Sequence, residues 1–188
     1  RKGRRWLGTN RLQWQMLWLV VAALLAGFMP LWVFAQPTAL TRPGPRLRTL
    51  AGTLRGADMA DIATLHHLSA LVREAIAYQI GETSAETTAE QALTRGAGVC
   101  QDHAHAFIAA ARLLGTPARY VSGYLLMDGQ IEQQAGHAWA EAHVPGLGWV
   151  GFDVSNAISP DQRYVRVATG ADYRDAAPVT GIALGPGQ

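Results

Sequence analysis

Apolar positions recur at two different periods along this chain, and the change of period divides it. From Pro45 to Leu114 the spacing is helical. Leu47, Leu50 and Leu54 fall on one side of a short helix that Pro45 opens and Gly56 closes. A longer helix is predicted from Asp58 to about Ile80. Ile62, Leu65, Val72 and Ile76 form its stripe, and Asp58 and Asp61 occupy a first turn where the dipole favours carboxylates. Thr87-Thr88-Ala89-Glu90 offers a capping box for a third helix ending before Gly96. The glycine-containing turn Arg95–Val99 then leads into a fourth helix, Cys100 to about Leu114. Its stripe is Ala104, Phe107, Ile108 and Ala111, and Gly115-Thr116-Pro117 stops it.

Beyond Pro117 the period falls to that of a strand. Ala118–Leu126, His137–Val144 and Trp149–Val154 read as strands, and Tyr164–Ala168 as a fourth. Helices first and antiparallel strands afterwards predict an α+β domain, with the helices packed on the sheet. The tail from Ala176 to Gln188 is rich in Gly and Pro and has no closing strand.

The head of the chain has another character. An uncharged apolar run extends from Met16 to Ala35 behind Arg1, Lys2, Arg4 and Arg5. A helix of that length spans the hydrocarbon layer of a bilayer, and the basic flank favours a cytoplasmic N-terminal side. Val33-Phe34-Ala35 also resembles the end of an export signal. Against these stand a buried helix and a start not native to the fold, since Pro30 interrupts the run. Residues 1–35 therefore read as a basic head and apolar segment, with membrane contact through residues 16–35 on the first two readings. On those readings the protein is membrane-anchored or exported; on the others it is cytoplasmic. Gln36–Pro45 is an extended linker, and residues 36–188 form one domain.

Composition narrows the function. The 188 residues are 49% hydrophobic and 16% charged, as in a folded protein. The net charge of +2 hides a split. No acid precedes Asp58, whereas from Asp58 onward 14 acids face 7 arginines. An acidic body repels phosphate, which argues against nucleic acid as a partner. One cysteine excludes an internal disulfide and a Cys-rich zinc site. His103 and His105 project about 200° apart on their helix and do not share a metal. His66 and His67 read as surface residues. No cofactor is implied.

The lone cysteine carries the chemistry. Cys100 follows Gly96-Ala97-Gly98-Val99 at a predicted helix start, where unpaired backbone N–H groups and the dipole stabilise a thiolate. The same groups can hold the oxyanion of an attacked carbonyl. A base and an orienting group are available on the strands. If His143 pairs with Trp149 across a five-residue loop, Asp153 falls opposite Trp139, and His137, Trp139 and Asp153 share one face. A four-residue loop would separate them, unless a bulge intervened. Asp102, in the first turn of the cysteine's helix, reads as a helix-end residue or a substrate or loop contact. Tyr120 and Tyr124 share a strand face and read as packing residues, and Trp139 as cleft wall or core.

These residues fall in four blocks: Gly98-Val99-Cys100-Gln101-Asp102-His103-Ala104-His105, Pro117–Tyr124, His137-Ala138-Trp139-Ala140-Glu141 and Gly148–Asp153. Together they resemble the bacterial transglutaminase-like family, whose core is similar to papain-like thiol enzymes. The resemblance implies Cys100 as nucleophile, His137 as base and Asp153 as orienting acid. It also implies acyl chemistry on a protein or peptide substrate, through a thioester passed to water or to an amine. Two other functions fit the same residues, a non-catalytic peptide-binding module and an acyltransferase. Against the family pattern, Ala171 stands where Arg is usual, and the final strand has no counterpart, so the domain reads as shortened at its C-terminus.

Overall fold

The computed structural model describes residues 31–126 and 136–177. The chain divides into two compact units, Arg1–Val33 and Phe34–Gln188. The basic head and most of the apolar run, residues 1–30, lie outside the described residues, as does the tail from residue 178. Among the described residues no helix is long and apolar enough to cross a membrane.

The second unit is α+β, as the two periods predict. Helix α1 (Pro45–Gly52) has Pro at its start and no cap from its own N-cap residue, Gly44. Its free N–H groups are satisfied from another helix. The Glu90 carboxylate of α3 (Ala89–Arg95) accepts from the N–H groups of Gly44, Arg46 and Leu47 at 3.1, 2.7 and 3.0 Å. Glu90 is therefore not the partner of Thr87. The capping box of α3 sits one residue later, with Thr88 as N-cap and Gln91 returning the bond. Gly96 ends α3 in the left-handed conformation.

Helix α2 is shorter than its apolar stripe predicts and spans Ile62–Ala75. Asp61 is its N-cap, and Asp58 bonds the N–H of Ala60 in the turn before. Both acids thus precede the helix. At the other end Ile76 is extended, because Ala77–Tyr78 (β1) pairs in parallel with Ala97–Gly98 (β2). This tertiary clip replaces the last predicted turn of α2 and aligns the chain that enters α4.

Helix α4 (Cys100–Leu113) is buried on every side, not along one stripe. Its polar residues are enclosed with bonds. Both His103 ring nitrogens lie against backbone carbonyls, those of Val99 and Ile76. Arg112 donates to the carbonyls of Phe34, Gln36, Ala118 and Ala171 and to the Thr41 hydroxyl. One guanidinium so ties the linker, a strand and the C-terminal segment to the central helix.

The sheet comprises β3 (Ala118–Leu125), β4 (His137–Val144), β5 (Gly148–Phe152) and β6 (Tyr164–Gly170). Their order is β5-β4-β3-β6, all antiparallel. His143 pairs with Trp149, the register that keeps His137 and Asp153 on one face. Val144 and Gly148 pair as well, so three residues close the hairpin. The alanines of β4, Ala138, Ala140 and Ala142, are buried with Tyr120 and Phe152 against the alanine-rich α4. Phe107 stacks on Phe152 with ring centroids 5.0 Å apart. Small side chains on both surfaces let helix and sheet approach closely at interior packing density.

Candidate active site

Cys100 is the first residue of α4, and the turn before it is shaped by its neighbours. Asp102 Oδ2 accepts from the Val99 N–H at 2.8 Å and from the Thr83 hydroxyl at 2.6 Å. Gly98 makes room for that carboxylate. A Cβ on residue 98 would lie 2.7 Å from both the Asp102 Cβ and Oδ2. The N–H groups of Cys100 and Gln101, at the first two helical positions, have no intrahelical acceptor. They face the end of the helix, where the dipole favours negative charge.

His137 opens β4, and Asp153 follows β5 directly. Reciprocal backbone bonds between Asp153 and Ile158 close the loop behind the acid. The Asp153 side chain is fully buried, and four donors hold it. His137 Nε2 donates to Oδ2 at 2.6 Å, Asn156 Nδ2 at 2.7 Å and the Tyr164 hydroxyl at 2.7 Å. The Asn156 backbone N–H reaches Oδ1 at 3.2 Å. Cys100 borders the same cavity as His137 and acts on its ring electrostatically. With Nε2 on the carboxylate, Nδ1 is the nitrogen left for the sulfur.

The environment sets the charge of this group. Burial pulls the His137 imidazole down more than any other single influence pushes it. Its hydrogen bond to Asp153 and the charges of Asp153 and Cys100 together outweigh that, and raise it to about 9. Burial likewise pushes Asp153 up, but the His137 bond and charge, then Asn156 and Tyr164, hold it below its usual range. Tyr164 is pushed up, by burial first and by Asp153 second.

Cys100 and His137 border a cavity of about 350 Å³, walled by Gln101, Ser122, Tyr120, Tyr124 and Tyr173 among the described residues. Tyr120 is buried, whereas Tyr124 is exposed. Asp102 and Trp139 are both buried and are not among the described residues that line the cavity. Asp102 shapes the helix start. The Trp139 ring lies 6.3 Å from that of His137 and edge-on to Tyr164 at 5.4 Å. Asn156 and Tyr164 escape a reading of sequence alone. Asn156, three residues after Asp153, carries a turn signal that could have suggested it. His66 and His67 are exposed, and His103 and His105 are buried. Among the described residues no group of three or more His, Cys, Asp or Glu side chains is placed to hold a metal ion.

A cysteine at the head of a central helix, against a histidine of an antiparallel sheet, is the transglutaminase-like, papain-like fold. The family model for the transglutaminase-like superfamily matches residues 48–154, more than half of the sequence and inclusive of Cys100, His137 and Asp153. The chain belongs to the transglutaminase-like superfamily. An uncharacterised protein of Mycobacterium leprae is 37% identical over 120 residues, which cover 61% of this chain and 42% of the relative. A protein-glutamine gamma-glutamyltransferase of Pseudomonas aeruginosa is 32% identical over 130 residues, or 63% of this chain and 19% of that enzyme. Among solved structures, a candidate cysteine protease of Cytophaga hutchinsonii superposes with a TM-score of 0.67 at 31% identity. The match covers 79% of this chain and 49% of that one. The periplasmic domain of TgpA from Pseudomonas aeruginosa, solved with ethylmercury, gives 0.52 at 28% identity over 68% of this chain and 49% of that one. The chain thus spans less than half the length of each of these relatives.

Proposed function

We propose that this protein is a thiol enzyme that cleaves or transfers acyl groups of peptide or carboxamide bonds through a thioester on Cys100. One observation carries the reading: His137 is hydrogen-bonded to a buried carboxylate and shares the rim of one cavity with Cys100. Raised to about 9, the imidazole holds its proton at neutral pH. A protonated imidazole beside a cysteine stabilises the thiolate, the attacking species.

In the first half-reaction the sulfur attacks the carbonyl carbon and a C–S bond forms. The N–H groups at the start of α4 receive the oxyanion. Collapse breaks the C–N bond, and the proton on His137 leaves with the amine. In the second half-reaction His137 takes a proton from water or an acceptor amine as it attacks the thioester, and the sulfur departs as thiolate. Asp153 keeps the ring aimed throughout and stabilises its cationic form, without itself taking a proton.

The relatives support this reading at the level of class, since they include a candidate cysteine protease and a glutamyl transferase. The test is to incubate the protein with a panel of peptides bearing side-chain or backbone carboxamides and to weigh it intact. The reading expects an acyl adduct on Cys100, absent in Cys100→Ala, that decays faster when an amine is added if the enzyme is a transferase. An unmodified protein and unaltered peptides across the panel would favour the non-catalytic binding module.

A further inference from the structure

Strand β6 contains an irregularity beside the site. Tyr120, Val121 and Ser122 of β3 pair with Gly170, Thr169 and Ala168, but Gly123, Tyr124 and Leu125 pair with Arg166, Val165 and Tyr164. The register slips by one residue, and Val167 is the residue without an opposite number. Side chains alternate along a strand, so the slip moves everything before Val167 to the other face. In an unbroken ladder Tyr164 would stand opposite Leu126 and face away from His137. With the slip it stands opposite Leu125, in the same alternation as Gly123, whose partner on β4 is His137.

Two contacts depend on this change of face. Arg166 reaches the buried Glu141, which also pairs with Arg119 at 2.7 Å. Tyr164 places its hydroxyl on Asp153 Oδ2, the oxygen that His137 uses, and its ring 5.9 Å from the imidazole. We infer that the β6 bulge serves to bring Tyr164 to the Asp153 carboxylate, where it is a positioning residue that tunes how strongly Asp153 holds the charged form of His137. The inference rests on the proposed thiol chemistry for its purpose, but not for its test.

The argument is one of shared lone pairs. Oδ2 accepts from His137, Asn156 and Tyr164 together. Each donor draws charge from the oxygen and weakens what the others receive. Removing the phenol O–H leaves the carboxylate in place, held by both Asn156 donors, and strengthens its grip on the imidazolium. The other ionisable groups that bear on this cluster are Cys100, Tyr78 of β1 and Arg163 beside Tyr164.

The experiment is an NMR titration of the His137 ring in the full chain, its signal identified by loss in His137→Gln. In Tyr164→Phe the midpoint moves above that of the native protein by roughly half a pH unit or more. Site-specific 3-fluorotyrosine at position 164, a stronger donor of the same shape, moves it downward and serves should the phenylalanine variant not fold. An unchanged midpoint in either protein makes Tyr164 a packing residue and overturns the inference. A fall in Tyr164→Phe means that the carboxylate has swung away, and overturns it too. No turnover is needed. A shifted midpoint with an inert Cys100 sinks the enzyme reading alone, and a fixed midpoint with a reactive Cys100 sinks only this one.

Discussion

At the scale of single residues the site is a competition between burial and partnership at His137. Burial alone would leave the ring neutral; the buried carboxylate on Nε2 and the neighbouring Cys100 together reverse that. The three residues of the candidate site are legible in the sequence because each carries a local signal. Cys100 follows a glycine turn at a helix start, and the count of residues from His137 to Asp153 fixes a shared face once the loop length is set. Tyr164 was not legible, because a bulge leaves no mark in a period-two pattern. Gly123 belongs to the same corner. A Cβ there would lie 2.7 Å from the Trp139 ring and would also strike the Val165 carbonyl beside the bulge. Gly123→Ala is therefore expected to cost roughly 1–3 kcal/mol through overpacking, read as a drop in urea midpoint. A midpoint equal to that of the native protein would show that β6 can yield.

Among the elements, the pattern of apolar positions locates the four helices α1–α4 and the four strands of the large sheet that the described residues form, but misplaces several ends. The ends fail for one physical reason: they are decided by partners distant in sequence. Helix α2 stops early because β1 pairs with β2, and a two-residue strand has no periodicity to read. The cap of α3 shifts by one residue because Glu90 serves α1, more than forty positions earlier. That cross-helix cap makes a prediction. Glu90→Ala deprives three N–H groups of their acceptor and should destabilise the domain by about 1–2 kcal/mol, whereas Thr88→Ala should cost about 1 kcal/mol. Equilibrium denaturation of the two variants checks the order. A larger loss in Thr88→Ala would mean that α1 finds its acceptors elsewhere. Helix α4 carries a striped pattern in the sequence yet is enclosed all round, since His103, His105 and Arg112 look like a solvent face until their backbone partners are known.

For the whole molecule, the charged pair at the site links stability to pH. His137 is raised in the folded state, so its contribution is full below about 6.5, the ordinary value for the ring, and is lost as pH rises through about 9. The shift corresponds to about 3 kcal/mol. Asp153 is depressed, so its contribution is present above 3.8 and is lost as pH falls through its lower folded value. Stability measured by denaturant at pH 6.5 and at pH 10 should therefore differ by more in the native chain than in His137→Gln. Equal differences would mean that the histidine is not held as a cation.

The account as a whole depends on His137 activating the sulfur, and carboxymethylation of Cys100 by iodoacetamide at neutral pH tests this most directly. The native protein should react at least about tenfold faster than His137→Ala, because the variant has lost the cation that stabilises the thiolate. Equal rates in the two proteins would contradict the account, since the sulfur and the imidazole would then be neighbours without being partners.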